Sequence, residues 1–398
     1  MKTVIKIAAI AALGAASTGC ASFEPVGGDG ADDETTGAET TGGCESSEQG
    51  CGEHALRGEV IVFVNARLSD AEGGYASHLP LGAAGTYLGN ALYAYDPSAQ
   101  CEDGGTRCRI TPLGNIVLDE RLGEISVQDG SLKKFVTVEL AHDEARGLWA
   151  TTYDPLNDEW GVAKLDVEDW RRSDNGIGID RFAFKPGPSE SPDTDPCYWR
   201  EAASGLGFVN GELYFGVRGI AGAGLSAEGL IYQVDLSVIE SAGHCVHSGD
   251  VSQDPNYYAC SNLCMPACTF GLELGVAGDI VAGPDGELLA WARPESDAQL
   301  ELDRNGLYAC EMGAGQELVD ALERSVWLDE VVRGDEIDAL ARVEGQLYGV
   351  SVLGRVYAID EETRAVDLID DVSEHGDLFP DGKLGLKIRG ATAVTIPD

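Results

Sequence analysis

Basic residues are scarce in this chain of 398: 27 Lys and Arg stand against 68 Asp and Glu, a net charge of −41. That balance excludes a non-specific nucleic-acid binder, whose affinity comes from Lys and Arg neutralising phosphates. It also argues against electrostatic adhesion to anionic lipid. No apolar run is long enough to cross a bilayer as a mature helix. Histidine is rare, six in all, so a His-rich metal centre is not expected. Catalytic motifs are missing too. There is no HExxH helix, Walker loop or dinucleotide fingerprint, and Gly224-Leu-Ser226-Ala-Glu228 lacks the closing Gly of a nucleophile elbow.

What is present begins with an export signal over residues 1–19. Lys2 and Lys6 supply a positive start, Ile7 to Ala16 a short apolar run, and small residues lead to Cys20. The stretch Ser17-Thr18-Gly19-Cys20 resembles the lipobox of bacterial lipoproteins, departing from it at Ser17, where that family usually has Leu. The resemblance covers these twenty residues and implies a diacylglyceryl group on the Cys20 thiol and cleavage just before it. An ordinary secretory cut after Ala16 or Ala21 is the alternative. Parity favours lipidation: of eleven Cys, modifying Cys20 leaves ten, which can all pair in an oxidising compartment. Ala21, where Asp would imply inner-membrane retention, points to the outer membrane or cell surface, with the lipid as the membrane partner.

Residues 20–56 carry acids and no Lys or Arg, without any apolar period, and read as an extended disordered tether. Cys44 and Cys51 would close a small loop at its end.

From 57 onward one short strand recurs five times: Leu92-Tyr-Ala-Tyr-Asp96, Val162-Ala-Lys-Leu-Asp166, Ile231-Tyr-Gln-Val-Asp235, Leu307-Tyr-Ala-Cys-Glu311 and Val356-Tyr-Ala-Ile-Asp360. Each alternates with period two and ends in an acid that opens a turn. Before each lies a strand headed by Gly58, Gly147, Gly211, Gly286 or Gly345, and an Asn-Gly or Asp-Gly pair is a strong hairpin signal. In four repeats a further strand precedes that Gly, and a fourth follows the acid. The first repeat lacks its leading strand, while Arg389-Gly-Ala-Thr-Ala-Val-Thr-Ile-Pro at the end of the chain stands without a blade. The pattern resembles the β-propeller superfold, though no named propeller family's signature is present. It implies an all-β domain over 57–398, with five four-stranded blades closed by pairing of the N- and C-terminal strands. Six or seven blades, or a β-sandwich, are the alternatives.

Cys101 and Cys108 flank the turn between the third and fourth strands of the first repeat, where a disulfide would staple the hairpin. Cys197, Cys245, Cys260, Cys264, Cys268 and Cys310 allow about fifteen pairings. The cluster His244-Cys245-Val246-His247 with Cys260, Cys264 and Cys268 has thiolate and imidazole groups suited to zinc, but lacks paired CxxC spacing, so disulfides are the expectation. It marks a Cys-rich insertion at about 240–270, between the third and fourth repeats, expected to fold over one face of the ring.

Carboxylates are too many to single out a catalytic pair, and no catalytic residue is assigned. Asp96, Asp166, Asp235, Glu311 and Asp360 are expected to serve turns. His142 reads as a surface residue at a strand end. Calcium is the one cofactor the acidic loops 154–159 and 173–176 could hold, although neither has the DxDxDG pattern. Trp149, Tyr214, Tyr232, Tyr308, Tyr348 and Tyr357 are expected to pack between blades rather than form a sugar platform. The functional expectation is an anchored propeller that binds a protein, glycan or small ligand without catalysis. The alternative is an extracytoplasmic polysaccharide hydrolase or lyase using axial carboxylates.

Overall fold

A computed structural model describes residues 56–69, 86–101, 104–116, 136–154, 159–167, 170, 177–184, 203–217, 230–237, 239, 244–245, 264–270, 274–294, 306–312, 319–320, 322–326, 337–376, 378–379 and 386–397. The expectations for residues 1–55, namely the signal peptide, Cys20, the tether and the Cys44 and Cys51 loop, lie outside these residues. So do Cys197, Cys260 and most of the two acidic loops considered for calcium.

The first blade contains β1 (Gly58–Ser69), β2 (Thr86–Tyr95) and β3 (Ile110–Ile116), and its innermost place is taken by the C-terminal strand β22 (Ile388–Ile396). β22 runs antiparallel to β1, from Gly58 opposite Ile396 to Val64 opposite Gly390, so the two ends of the domain share one sheet. The second blade runs from β4 (Val136–Asp143) through β5 (Gly147–Asp154) and β6 (Glu159–Asp166) to β7 (Gly178–Phe184). The third has β8 (Ala203–Val209), β9 (Glu212–Val217), β10 (Leu230–Val234) and β12 (Cys264–Thr269). The fourth has β13 (Leu274–Ala282), β14 (Leu288–Pro294), β15 (Gly306–Cys310) and β17 (Leu322–Val326). The fifth has β18 (Ile337–Val343), β19 (Gln346–Ser351), β20 (Arg355–Ile359) and β21 (Val366–Asp371). The five innermost strands β22, β4, β8, β13 and β18 contact their neighbours around one axis, and the domain is a five-bladed β-propeller closed by its termini.

The core explains why these strands form. A blade is packed on both faces, so a buried strand has no solvated side and reads as a continuous apolar run. In β1, Val60, Val62 and Val64 pack with Leu140, Leu148 and Ala150 of the second blade. Ile61 and Phe63, pointing the other way, pack with Ala339, Ala341 and Val350 of the fifth. Each such side chain taken fully from water contributes about 1.5–3 kcal/mol. Trp149, Tyr214, Tyr232, Tyr308 and Tyr357 are buried and Tyr348 is half-buried, which is the packing role expected of them. At the innermost hairpins, Asn210 and Gly211 (φ 53° and 79°) and Glu344 and Gly345 (φ 49° and 82°) both turn left-handed, the conformation a two-residue hairpin needs. Asp96, Asp235 and Asp360 each accept backbone N–H groups from the residues two or three further on, as their place at turns implied.

Two features depart from expectation. The Cys-rich insertion does not separate the third and fourth repeats: it interrupts the third blade between β10 and β12, and Cys264–Thr269 is that blade's fourth strand. Part of it, β11 (His244–Cys245), adds a short parallel strand to the outer edge of the second blade, beside β7, so this part lies along the rim of the ring. Likewise β16 (Val319–Asp320), from the fourth blade, pairs in parallel with β12 of the third. Two blades therefore have five strands. The same backward reach recurs twice more: Ile177, before the second blade's last strand, bridges to Ile116 of the first, and the Thr106 hydroxyl donates to Asp370 of the fifth.

The expected Cys101–Cys108 disulfide is present, and Cys268 pairs with Cys310, joining the third blade to the fourth (Cα–Cα 6.2 Å). The backbone places Cys245 in β11 and Cys264 at the start of β12. The Cys268–Cys310 bridge spans 42 residues of chain and the Cys101–Cys108 bridge only seven. Replacing Cys268 and Cys310 with Ser should therefore cost about 2–4 kcal/mol, and more than the matching Cys101 and Cys108 double variant. Urea titration in non-reducing buffer reads this, and an unchanged midpoint would contradict it.

Candidate functional site

In an innermost strand of regular pairing, alternate side chains point into the two neighbouring blades and none is directed at the axis. All five innermost strands break this register at the same level, and a bulge re-aims what it carries. In β22 the extra residue is Arg389, between the pairs Gly390–Val64 and Ile388–Asn65. In β4 the break before Leu140 holds Glu139, and in β13 the break before Ile280 holds Asp279. In β18 it holds Asp338, and in β8 the break before Leu206 holds Gly205. Four blades thus contribute an ionisable residue and the third contributes none. Glycine is required there by close approach: a Cβ on Gly205 would stand 2.6 Å from the Gly278 carbonyl oxygen, and one on Gly390 would stand 2.3 Å from the Glu139 Cα.

Asp279 lies at the centre and is fully buried. Its Oδ1 accepts the N–H of Leu206 (3.0 Å) and of Ile280 (2.9 Å), and its Oδ2 accepts the N–H of Ala391 (3.0 Å) and, longer, of Leu340 (3.4 Å). One carboxylate thereby ties together the third, fourth, first and fifth blades, and its acceptor positions are filled. The second blade takes a different course, with the Glu139 N–H donating to the Thr151 hydroxyl at 3.0 Å.

Burial pushes the carboxyls of both Glu139 and Asp279 well above the usual range. For Asp279 the four N–H donors work against that shift, whereas Glu139 feels the negative fields of Asp279 and Asp338 and only Arg389 in opposition. Its Oε2 is buried without a hydrogen-bond partner. Of the two, Glu139 has the less support for its charged form, and burial favours its neutral carboxyl. Asp338 Oδ2 stands 3.7 Å from Arg389 Nε. Two residues before Arg389, Lys387 is anchored through its N–H to Asn65 Oδ1 at 2.8 Å. Burial first and the Arg389 charge second bring its ammonium down to about 8, with Asp338 pulling the other way.

None of these five residues was singled out by sequence. A signal existed: Glu139, Asp279 and Asp338 each interrupt an innermost strand at about the same distance before its hairpin, and Arg389 stands near the start of the C-terminal strand. The turn acids do not join the site. His142 is half-buried at the far end of β4, its ring edge-on to Trp170 at 5.4 Å and its basicity lowered by burial. A second polar group lies at the seam of the fifth and first blades, where His375 Nε2 stands 3.8 Å from Asp370 Oδ2. Burial there would raise the Asp370 carboxyl, but the nearby His375 imidazole and the hydrogen bond from the Thr106 hydroxyl outweigh it and hold it low. Among the described residues no three His, Cys, Asp or Glu side chains are arranged to hold a metal ion.

The fold and its axis define a propeller; the comparisons add no narrower family. No family model matches the chain, and no curated protein matches it. Among solved structures, a puromycin hydrolase is 10% identical with a TM-score of 0.31, over 77% of this chain and 39% of that one. A europium-containing methanol dehydrogenase is 12% identical with a TM-score of 0.27, over 78% and 52%. The C-terminal WD40 domain of Sif2 is 10% identical with a TM-score of 0.27, over 76% and 79%. The chain thus spans about two fifths of the hydrolase and half of the dehydrogenase. Likenesses of this size carry no argument about what this chain does.

Substitutions at two positions test the axis. Asp279→Ala leaves four buried N–H groups without an acceptor and should cost about 4 kcal/mol or more, while Asp279→Asn, keeping one oxygen, should cost less. Glu139 binds its proton more tightly folded than unfolded, so its contribution to stability is full below the ordinary value of about 4.3 and declines as pH rises towards the folded value. Glu139→Gln, which fixes the neutral form, should melt with the parent near pH 4 and above it at pH 8. Melting curves across that range check this, and parallel profiles would contradict a protonated Glu139.

Proposed function

We propose that the chain is an exported lipoprotein of the outer membrane or cell surface, anchored through Cys20, whose propeller binds a protein, glycan or small ligand without catalysis. The observation that carries the non-catalytic reading is the burial of the axial carboxylates. Glu139, Asp279 and Asp338 are 2%, 0% and 4% exposed, and the lone pairs of Asp279 are occupied by backbone N–H groups. A glycosidase needs two carboxyl groups that flank a sugar bond. Here the acids are buried, and the oxygens of Asp279 are already engaged.

Topology supports a ligand on one side of the disc. The connections 70–85, 218–229 and 295–305, between second and third strands, leave from the rim where the innermost strands begin. So do 117–135, 185–202 and 327–336, between one blade and the next. Variation in length at one rim of a fixed scaffold is where binding surfaces are commonly built. Export and lipidation rest on the signal layout and cysteine parity.

Expressed as the full chain in a bacterial host, the protein should incorporate labelled fatty acid and partition into detergent, and Cys20→Ala should do neither. Incubated with glycan arrays and with soluble polysaccharides, it should retain a ligand without releasing reducing ends. Sustained release would replace binding with the hydrolase reading, and label persisting in the Cys20→Ala chain would remove the anchor.

A further inference from the structure

Lys387 and Arg389 stand out in a chain that has 68 acids to offer them. A long Lys side chain normally rests its stem on the protein and places its ammonium in water. Lys387 does the reverse: the residue is part-exposed at the start of β22, but its Nζ is shielded from solvent and has no acceptor. Arg389 has a side chain 28% exposed, yet its Nε is buried and likewise lacks an acceptor, with Asp338 Oδ2 offset at 3.7 Å. A buried ammonium and a buried guanidinium N–H close together on one chain segment, neither hydrogen-bonded, are costly to keep unless an acceptor completes them.

The third side of the group is Glu139, 2% exposed, with Oε2 unpartnered. Arg389 links the three, since its charge acts on both Glu139 and Lys387. An ammonium, a guanidinium N–H and a neutral carboxyl therefore lack partners at the mouth of the axis, and all can donate. Asp279 is held by four backbone N–H groups and Asp338 lies beside Arg389, so both acids keep their fields on the group while the free donors are those of Lys387, Arg389 and Glu139. Those two acids repel a doubly charged phosphate more than a singly charged carboxylate, which favours the carboxylate.

We propose that the mouth of the propeller axis is a carboxylate-binding site, in which Lys387 and Arg389 hold the anion and Glu139 donates to it from below. The inference rests on the binding reading above and names its ligand class. The carboxylate can come from two sources, a uronic acid of an acidic glycan or a free small organic acid, and both present the same group.

The test uses the purified full chain with sodium galacturonate, trigalacturonate and malonate as probes, and galactose as the uncharged control. Calorimetry should give a Kd of about 1 mM or tighter for at least one carboxylate, with a matching rise in melting temperature, and nothing for galactose. Lys387→Met and Arg389→Gln should each weaken binding by about tenfold or more, while Arg389→Lys should keep part of it. Unliganded melts of these variants show that the fold is intact. Preference for trigalacturonate assigns the site to acidic glycans, and equal binding of malonate assigns it to free acids. No binding at about 10 mM, or equal binding by the Lys387 and Arg389 double variant, overturns the site. Cleavage of trigalacturonate would sink the non-catalytic reading while leaving the carboxylate site standing. A ligand bound independently of Lys387 and Arg389 would sink this inference alone.

Discussion

A single buried carboxylate, that of Asp279, determines how the rest of this ring is arranged. Its two oxygens receive N–H groups from β8, β13, β18 and β22, strands that are remote in sequence and meet only at the axis. Hydrophobic packing between blades is strong but non-directional; it favours closeness without setting the level at which one blade meets the next. Four hydrogen bonds to one group do set it. They also explain why the axis tolerates charge: donors that converge on a small space need an acceptor, and a buried N–H without one is costly.

The bulges are the device that makes this arrangement available. A blade strand packed on both sides has all its side chains committed to its neighbours, as Val60 to Val64 illustrate, alternating between the second and fifth blades. A local break in pairing turns a residue out of that alternation and towards the axis without disturbing the strand before or after it. The third blade, with Gly205 at this place, contributes space instead of charge, and the backbone of the fourth blade fills it.

Much of the architecture was legible in the sequence because blades repeat. Five copies of a short strand ending in an acid, each preceded by a Gly-headed strand, carry period-two signals that do not depend on distant contacts, and the unattached Arg389-to-Pro397 segment matched the missing strand of the first repeat. The rest depended on contacts between sequence-distant parts. Cys264–Thr269 reads Cys-Met-Pro-Ala-Cys-Thr, with few β-branched or aromatic residues, and so did not look like the strand it forms. Pairings of two residues, such as His244–Cys245 with β7, are too short to leave a periodic trace. The Cys268–Cys310 partnership follows from β12 and β15 lying on facing blades. The axial charges were hidden for the same reason: a bulge is a property of two strands in register, and one strand read by itself cannot display it.

The backward reach of the loops before the last strand of four blades has a consequence for how such a ring changes over time. His244–Cys245, Val319–Asp320, Ile177 and Thr106 each belong to one blade and finish the edge of the blade before it. A sector built this way is a poor unit of inheritance. Duplicating or deleting one would leave a neighbour's border bare and a strap with nothing to grip, so the periphery, as much as the centre, guards the number five.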